Sequence, residues 1–166
     1  NKITGFNKYK DKIMFANLES QGITKEPQQV FFSGERQVLA RYPNYDPSDP
    51  IGGGFLYVDE GTECGTEENG YFQGFKYKVS DISPSEWSKI DSIEVMVFPD
   101  WNYKSLLLDI SSINESERMI NLKGGVNQGN AGGICKNNRY YLRNIFEELD
   151  APNEWYYDKA QKLLYF

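Results

Sequence analysis

The chain has 166 residues, with 18 Lys plus Arg against 24 Asp plus Glu and no His, giving a formal net charge of −6. That length suits one compact core, and the negative balance makes nucleic acid and anionic membranes poor partners. Without His, a Ser-His-Asp triad, a Cys-His dyad and a His-ligated zinc are excluded within the chain.

Aromatic residues make up 15% of the sequence, including 12 Tyr and 3 Trp. Such richness fits either a β core built on large rings or rings offered to sugar faces, and composition does not separate the two. No apolar run approaches the ~18–20 residues that span a bilayer, so no membrane insertion is expected. The first residue is Asn1, with no basic or apolar leader after it, which suggests an excised piece or a mature product. The two cysteines, Cys64 and Cys135, could pair in an oxidising compartment, but two isolated cysteines leave that open.

In chain order, Lys12 to Leu18 reads as a strand running into a turn at Ser20-Gln21-Gly22. A hairpin follows, with Val30-Phe31-Phe32 and Gln37-Val38-Leu39-Ala40 joined through Ser33-Gly34-Glu35-Arg36. Arg41 to Pro50 carries Pro43, Pro47 and Pro50, a density that points to an irregular loop. Gly52-Gly53-Gly54 precedes the short β-rich run Phe55-Leu56-Tyr57-Val58, and the acidic stretch from Asp59 to Gly70 reads as a solvated loop.

Phe75, Tyr77 and Val79 alternate with Lys76 and Lys78, the period of a half-buried strand. Ser83-Pro84-Ser85-Glu86-Trp87 has the makings of a short capped helix with Trp87 turned to the core. Ile93 to Phe98 is a strand that Pro99-Asp100 ends. Tyr103 to Ser112 and Arg118 to Lys123 form a second hairpin, and Gly124 to Gly133 is a loop. The spacing of Tyr141, Ile145 and Leu149 predicts a short helix over 140–149. Trp155-Tyr156-Tyr157 and Lys162 to Tyr165 form a third hairpin, with Trp155 in the core. Short strands, frequent turns and no βαβ rhythm predict an all-β barrel or sandwich of antiparallel strands with one or two short helices.

No phosphate-cradling loop, dinucleotide fingerprint or nucleophile elbow is present, the calcium-loop spacing is absent, and nothing calls for a metal or cofactor. Paired carboxylates would suffice for glycoside hydrolysis, and Asp46, Asp49 and Asp100 are the acids best placed near turns. Each also has an ordinary use there, bonding local backbone amides. Among the rings, Trp101 follows a strand exit with Asn102 and Tyr103 beside it, and Tyr45 stands among prolines. Trp101, Tyr103 and Tyr45 are therefore the candidate sugar-stacking residues, and no catalytic residue is assigned.

The run from Asn138 to Asp158, with Arg139-Tyr140-Tyr141-Leu142 and Glu147-Glu148-Leu149-Asp150-Ala151-Pro152-Asn153-Glu154-Trp155-Tyr156 within it, resembles a signature reading roughly RYYLENVFEELDAPGEWYLD. Gln37-Val38-Leu39-Ala40-Arg41-Tyr42-Pro43-Asn44 is similar to a companion ARYPN or RWPN element, and Val95 to Trp101 to a third element, VHVFHDW. Both the signature and its companions belong to bacterial right-handed parallel β-helix glycosidases, the alpha-1,3-galactosidase-like family. Asn153 replaces the usual Gly, Arg143 a Glu, and Pro99 a His.

The resemblance implies a β domain of residues 1–166 inserted near the start of a β-helix whose own coils hold the catalytic carboxylates. It implies a secreted, periplasmic or cell-surface bacterial protein, with the parent β-helix and an oligo- or polysaccharide as partners. On that reading the chain is a non-catalytic accessory, carbohydrate-binding domain. The alternatives are a fragment that completes a glycosidase or lyase site and a purely structural cap.

Overall fold

A computed structural model of the chain describes residues 1–59, 71–127 and 133–166, and two sheets carry most of its strands. The first contains β1 (Asn7–Lys10), β2 (Ile13–Asn17), β5 (Val38–Leu39), β13 (Glu154–Asp158) and β14 (Leu163–Tyr165), in the order β1-β2-β14-β13-β5. The second contains β6 (Arg41–Tyr42), β7 (Leu56–Tyr57), β8 (Tyr71–Lys76), β9 (Glu94–Val97), β10 (Leu106–Asn114), β11 (Met119–Asn127) and β12 (Arg139–Arg143). Its order is β6-β12-β9-β10-β11-β8, with β7 also on β12. A small separate hairpin joins β3 (Phe31–Phe32) to β4 (Glu35–Arg36). Pairing is antiparallel except between β5 and β13. The arrangement is an all-β sandwich, and the helical elements among the described residues are three 3₁₀ turns of three residues each.

The expected large-ring core is present. Every residue of β13 is buried, because the strand is covered on both faces. Trp155 and Tyr157 pack on one side with Leu18 and Leu164; Tyr156, two-residue periodicity demanding it, packs on the other with Tyr165 and Leu149. There Phe146 makes edge contacts with Tyr165 at 5.0 Å and Tyr156 at 5.2 Å between ring centroids. The seven-stranded sheet buries Val95, Val97, Phe75, Ile120, Tyr140 and Leu142 together with Trp87.

Three local expectations are corrected. Residues 140–149 form no helix: β12 runs from Arg139 to Arg143 and buries Tyr140 and Leu142 alternately, and Asn144 then turns the chain at φ 62°. The apolar spacing that mimics a helix combines one strand residue, Tyr141, with two residues of the following turn, Ile145 and Leu149. The first hairpin is tighter than expected, since Ser33 and Gly34 alone turn at φ 51° and 84° while Glu35-Arg36 pairs as a strand. Val38-Leu39 instead leaves the hairpin to join β13 in parallel. At Ser83-Pro84 the structure has a 3₁₀ turn, Pro84–Glu86, with no side-chain cap from Ser83.

Other expectations hold with shifted ends. Strand β8 stops at Lys76, leaving Val79 exposed, and Arg41-Tyr42 at the start of the proline loop pairs with β12. Most of the acidic loop and the centre of the glycine-rich loop lie outside the described residues, and β11 runs on to Asn127 where a loop was expected from Gly124. Cys135 is disulfide-bonded, and the chain's other cysteine, Cys64, also lies outside them.

Candidate functional site

Between β5 and Arg41-Tyr42 the chain passes from one sheet to the other within five residues, 38–42. That crossing leaves a cleft of about 420 Å³, walled by Val38, Leu39, Trp155 and Tyr157 on one side and by Arg41, Tyr141, Arg143 and Glu94 on the other. Its size falls within the ~300–1,000 Å³ typical of small-ligand sites. Arg36 and Gln37, at the base of the small hairpin, Tyr45, from the proline loop, and Glu26, from the segment before the hairpin, also line the cleft.

Alternation within two short strands aims these side chains. Tyr42 and Leu142 pair and face the core, so Arg41 and Arg143, which also pair, face the other way. Arg41 is 5% exposed. Its guanidinium lies 3.6 Å from the Tyr141 ring centroid, Nε donates to Pro43 O at 2.9 Å, and Nη2 donates to Gly54 O. Burial lowers its pKa from the ordinary Arg value, opposed by the nearby Tyr141 and Glu154. Arg143 Nε donates to Glu94 Oε2 at 2.7 Å.

Two buried polar atoms, on side chains that line this cleft, have no partner among the described residues. Gln37 is 4% exposed; its Nε2 donates to Glu35 O at 2.9 Å, while its Oε1 accepts nothing. Trp155 Nε1 likewise donates to nothing. Such atoms cost on the order of 1–3 kcal/mol each when left so. Behind the wall, Glu154 accepts from the Ala151 and Asp150 amides at 3.2 and 3.3 Å, and burial raises its pKa to about 7.

The three candidate rings do not converge. Tyr45 lines the cleft, 45% exposed, with the Arg41 guanidinium 6.0 Å from its ring centroid. Trp101 and Tyr103 are 69% and 67% exposed on the turn after β9, and neither lines the cleft. That turn is firmly held: Asn138 Nδ2 donates to Asp100 O at 2.7 Å, and the Arg139 amide donates to Asn102 Oδ1 at 2.8 Å.

The three carboxylates are engaged locally. Asp46 accepts from the Ser48 hydroxyl and amide, which hold its pKa below the usual range, and Asp49 accepts from the Gly52 amide. Asp100 accepts from the Tyr103 hydroxyl at 3.1 Å and faces Lys104 Nζ at 3.8 Å. Trp87 and Trp155 are both buried, as expected.

Sequence reasoning missed Gln37 and Arg41, whose burial depends on the sheet-to-sheet crossing. The only signal was the polar Gln37 opening an otherwise apolar run.

No family model matches this sequence, and no curated protein matches it. Among solved structures, a glycoside hydrolase superposes on 99% of this chain with a TM-score of 0.71 and 16% sequence identity. The match covers 27% of that protein, so this chain has the fold of one part of a larger glycoside hydrolase.

Proposed function

We propose that this chain is an accessory domain of a larger, extracytoplasmic carbohydrate-active protein, and that it binds saccharide without catalysing its cleavage. The observation that carries the proposal is the likeness of nearly the whole chain to about a quarter of a glycoside hydrolase. The sequence signature around β12 and β13 supports a parent of the bacterial β-helix, alpha-1,3-galactosidase-like kind. The disulfide at Cys135 supports an oxidising compartment.

The cleft is where saccharide fits best. A sugar hydroxyl both donates and accepts, so hydroxyls suit the acceptor Gln37 Oε1 and the donor Trp155 Nε1 alike. Tyr45 offers a half-exposed ring at the same wall. Trp101 and Tyr103 supply a second stacking surface, outside the cleft.

Equilibrium binding to a panel of oligosaccharides tests this reading. The wild-type chain binds at least one member, Tyr45→Ala weakens that binding about tenfold, and Trp101→Ala with Tyr103→Ala weakens it less. Unchanged binding after all three replacements would remove these rings from the account.

A second reading has its own observation. Tyr57, Leu107 and Met96 lie on the face of the seven-stranded sheet opposite its core, with Tyr57 and Leu107 exposed. That face suits packing against the rest of a parent protein, the role of a structural cap. A folded chain that binds no saccharide would favour the cap.

A further inference from the structure

The charges around the cleft narrow the kind of saccharide. Five charged side chains line it: Glu26, Glu94, Arg36, Arg41 and Arg143. Both acids are already paired, Glu94 with Arg143 at 2.7 Å and Glu26 with Lys159 Nζ at 3.0 Å. Neither Arg36 nor Arg41 makes an ion pair among the described residues. In a chain of net charge −6, this wall therefore carries two guanidinium groups that are not in an ion pair among the described residues.

Arg41 is the more telling of the two. A buried cation outside an ion pair loses hydration that packing and hydrogen bonds must offset. Tyr141 beneath the guanidinium and two backbone carbonyls supply part of that compensation. Those carbonyls take two of its five N–H donors, and the other three have no acceptor among the described residues. Glu154 attracts Arg41 electrostatically, yet its carboxylate accepts from the backbone amides of Asp150 and Ala151. The Tyr141 stack fixes the guanidinium plane, and a fixed fork of donors matches a planar carboxylate.

Resting on the saccharide reading above, we propose that the cleft recognises an acidic sugar: Arg41, assisted by Arg36, binds a uronate carboxylate while Gln37 and Trp155 bind ring hydroxyls. Phe31 stands directly across the small hairpin from Arg36 and is 60% exposed, which places an apolar ring beside that guanidinium's strand.

Calorimetry on the full chain tests this with oligogalacturonates and oligoglucuronates, their methyl esters, and neutral oligosaccharides of the same backbones. The free acids bind at least tenfold more tightly than the esters, and added salt weakens the acids alone. Arg36→Gln reduces acid affinity about threefold and leaves the fold intact, since Arg36 is exposed. Arg41→Lys keeps the charge but loses the planar fork, and reduces acid affinity at least tenfold while ester binding changes little. Equal affinity for acid and neutral forms overturns the uronate assignment and leaves the saccharide reading standing. Acid binding that neither substitution alters also overturns it, since the carboxylate then sits elsewhere. A folded chain that binds neither acid nor neutral sugars overturns both.

Discussion

Glu154 and Asn153 show how much a single position in this fold is asked to do. Asn153 turns into β13 at φ 70°, a conformation that costs most L-residues about 1–2 kcal/mol and costs Gly nothing. That explains why Asn can stand where the related signature has Gly. Glu154, next along, is buried, and burial outweighs the backbone amides of Ala151, Asp150 and Arg41 to push its pKa to about 7 against an ordinary 4.5. A carboxyl whose folded pKa is raised contributes stability that is full below the unfolded value and is lost as pH rises through the folded value. The window is therefore pH 4.5 to 7.

Glu154→Gln keeps an oxygen acceptor for these amides and cannot ionise. Its stability relative to wild type should therefore improve by roughly 2–3 kcal/mol between pH 4.5 and pH 8. Chemical denaturation at the two pH values measures this, and a difference that does not change with pH contradicts it. Asp158, at the other end of β13, acts in the opposite sense. Burial raises its pKa, but Lys89 Nζ at 2.5 Å and the Gln161 and Ala160 amides prevail and hold it low. Its contribution is lost as pH falls through that lowered value.

At the scale of elements, the sequence was most legible where β-rich apolar runs stood between turn residues. The strands at Ile93 to Phe98 and in the hairpins of β10 with β11 and β13 with β14 were expected and are present. Local pattern misled where a strand ended in an apolar turn. Tyr141, Ile145 and Leu149 have helical spacing, but pairing of β12 with both β6 and β9 overrides it. The parallel partnership of β5 and β13 joins residues more than a hundred positions apart, and no local signal announces it. The cleft was illegible for the same reason, because that pairing and the crossing into β6 create it.

Gly74 provides an element-scale test on the opposite side of the fold. A Cβ there would lie 2.3 Å from the backbone oxygen of Ile120 in the partner strand, beside an irregular step in the β8–β11 register. Gly74→Ala must push the two strands apart, and overpacking of this kind costs about 1–3 kcal/mol. The denaturation midpoint should fall, with amide exchange in β11 accelerated more than in β13. An unchanged midpoint would contradict the close approach.

For the whole molecule, the all-β class, barrel or sandwich, was readable from short strands and frequent turns, whereas the choice of a sandwich with a cleft at the junction of its sheets was not. The likeness to part of a glycoside hydrolase gives that sandwich a context, and the cleft gives it a site. The three tryptophans happen to sample the competing locations: Trp155 lines the cleft, Trp101 stands on the exposed turn, and buried Trp87 donates to Glu148 Oε1 at 2.7 Å. Their indole N–H resonances are thus separate reporters, with Trp87 as the internal control. The most direct measurement is a titration of the ¹⁵N-labelled chain with the neutral and acidic oligosaccharide panel, following those three signals. The account predicts that a bound saccharide shifts the Trp155 signal in a saturable way while Trp87 stays in place. A well-dispersed spectrum in which Trp155 never moves, whether Trp101 responds or not, would contradict saccharide binding in the cleft.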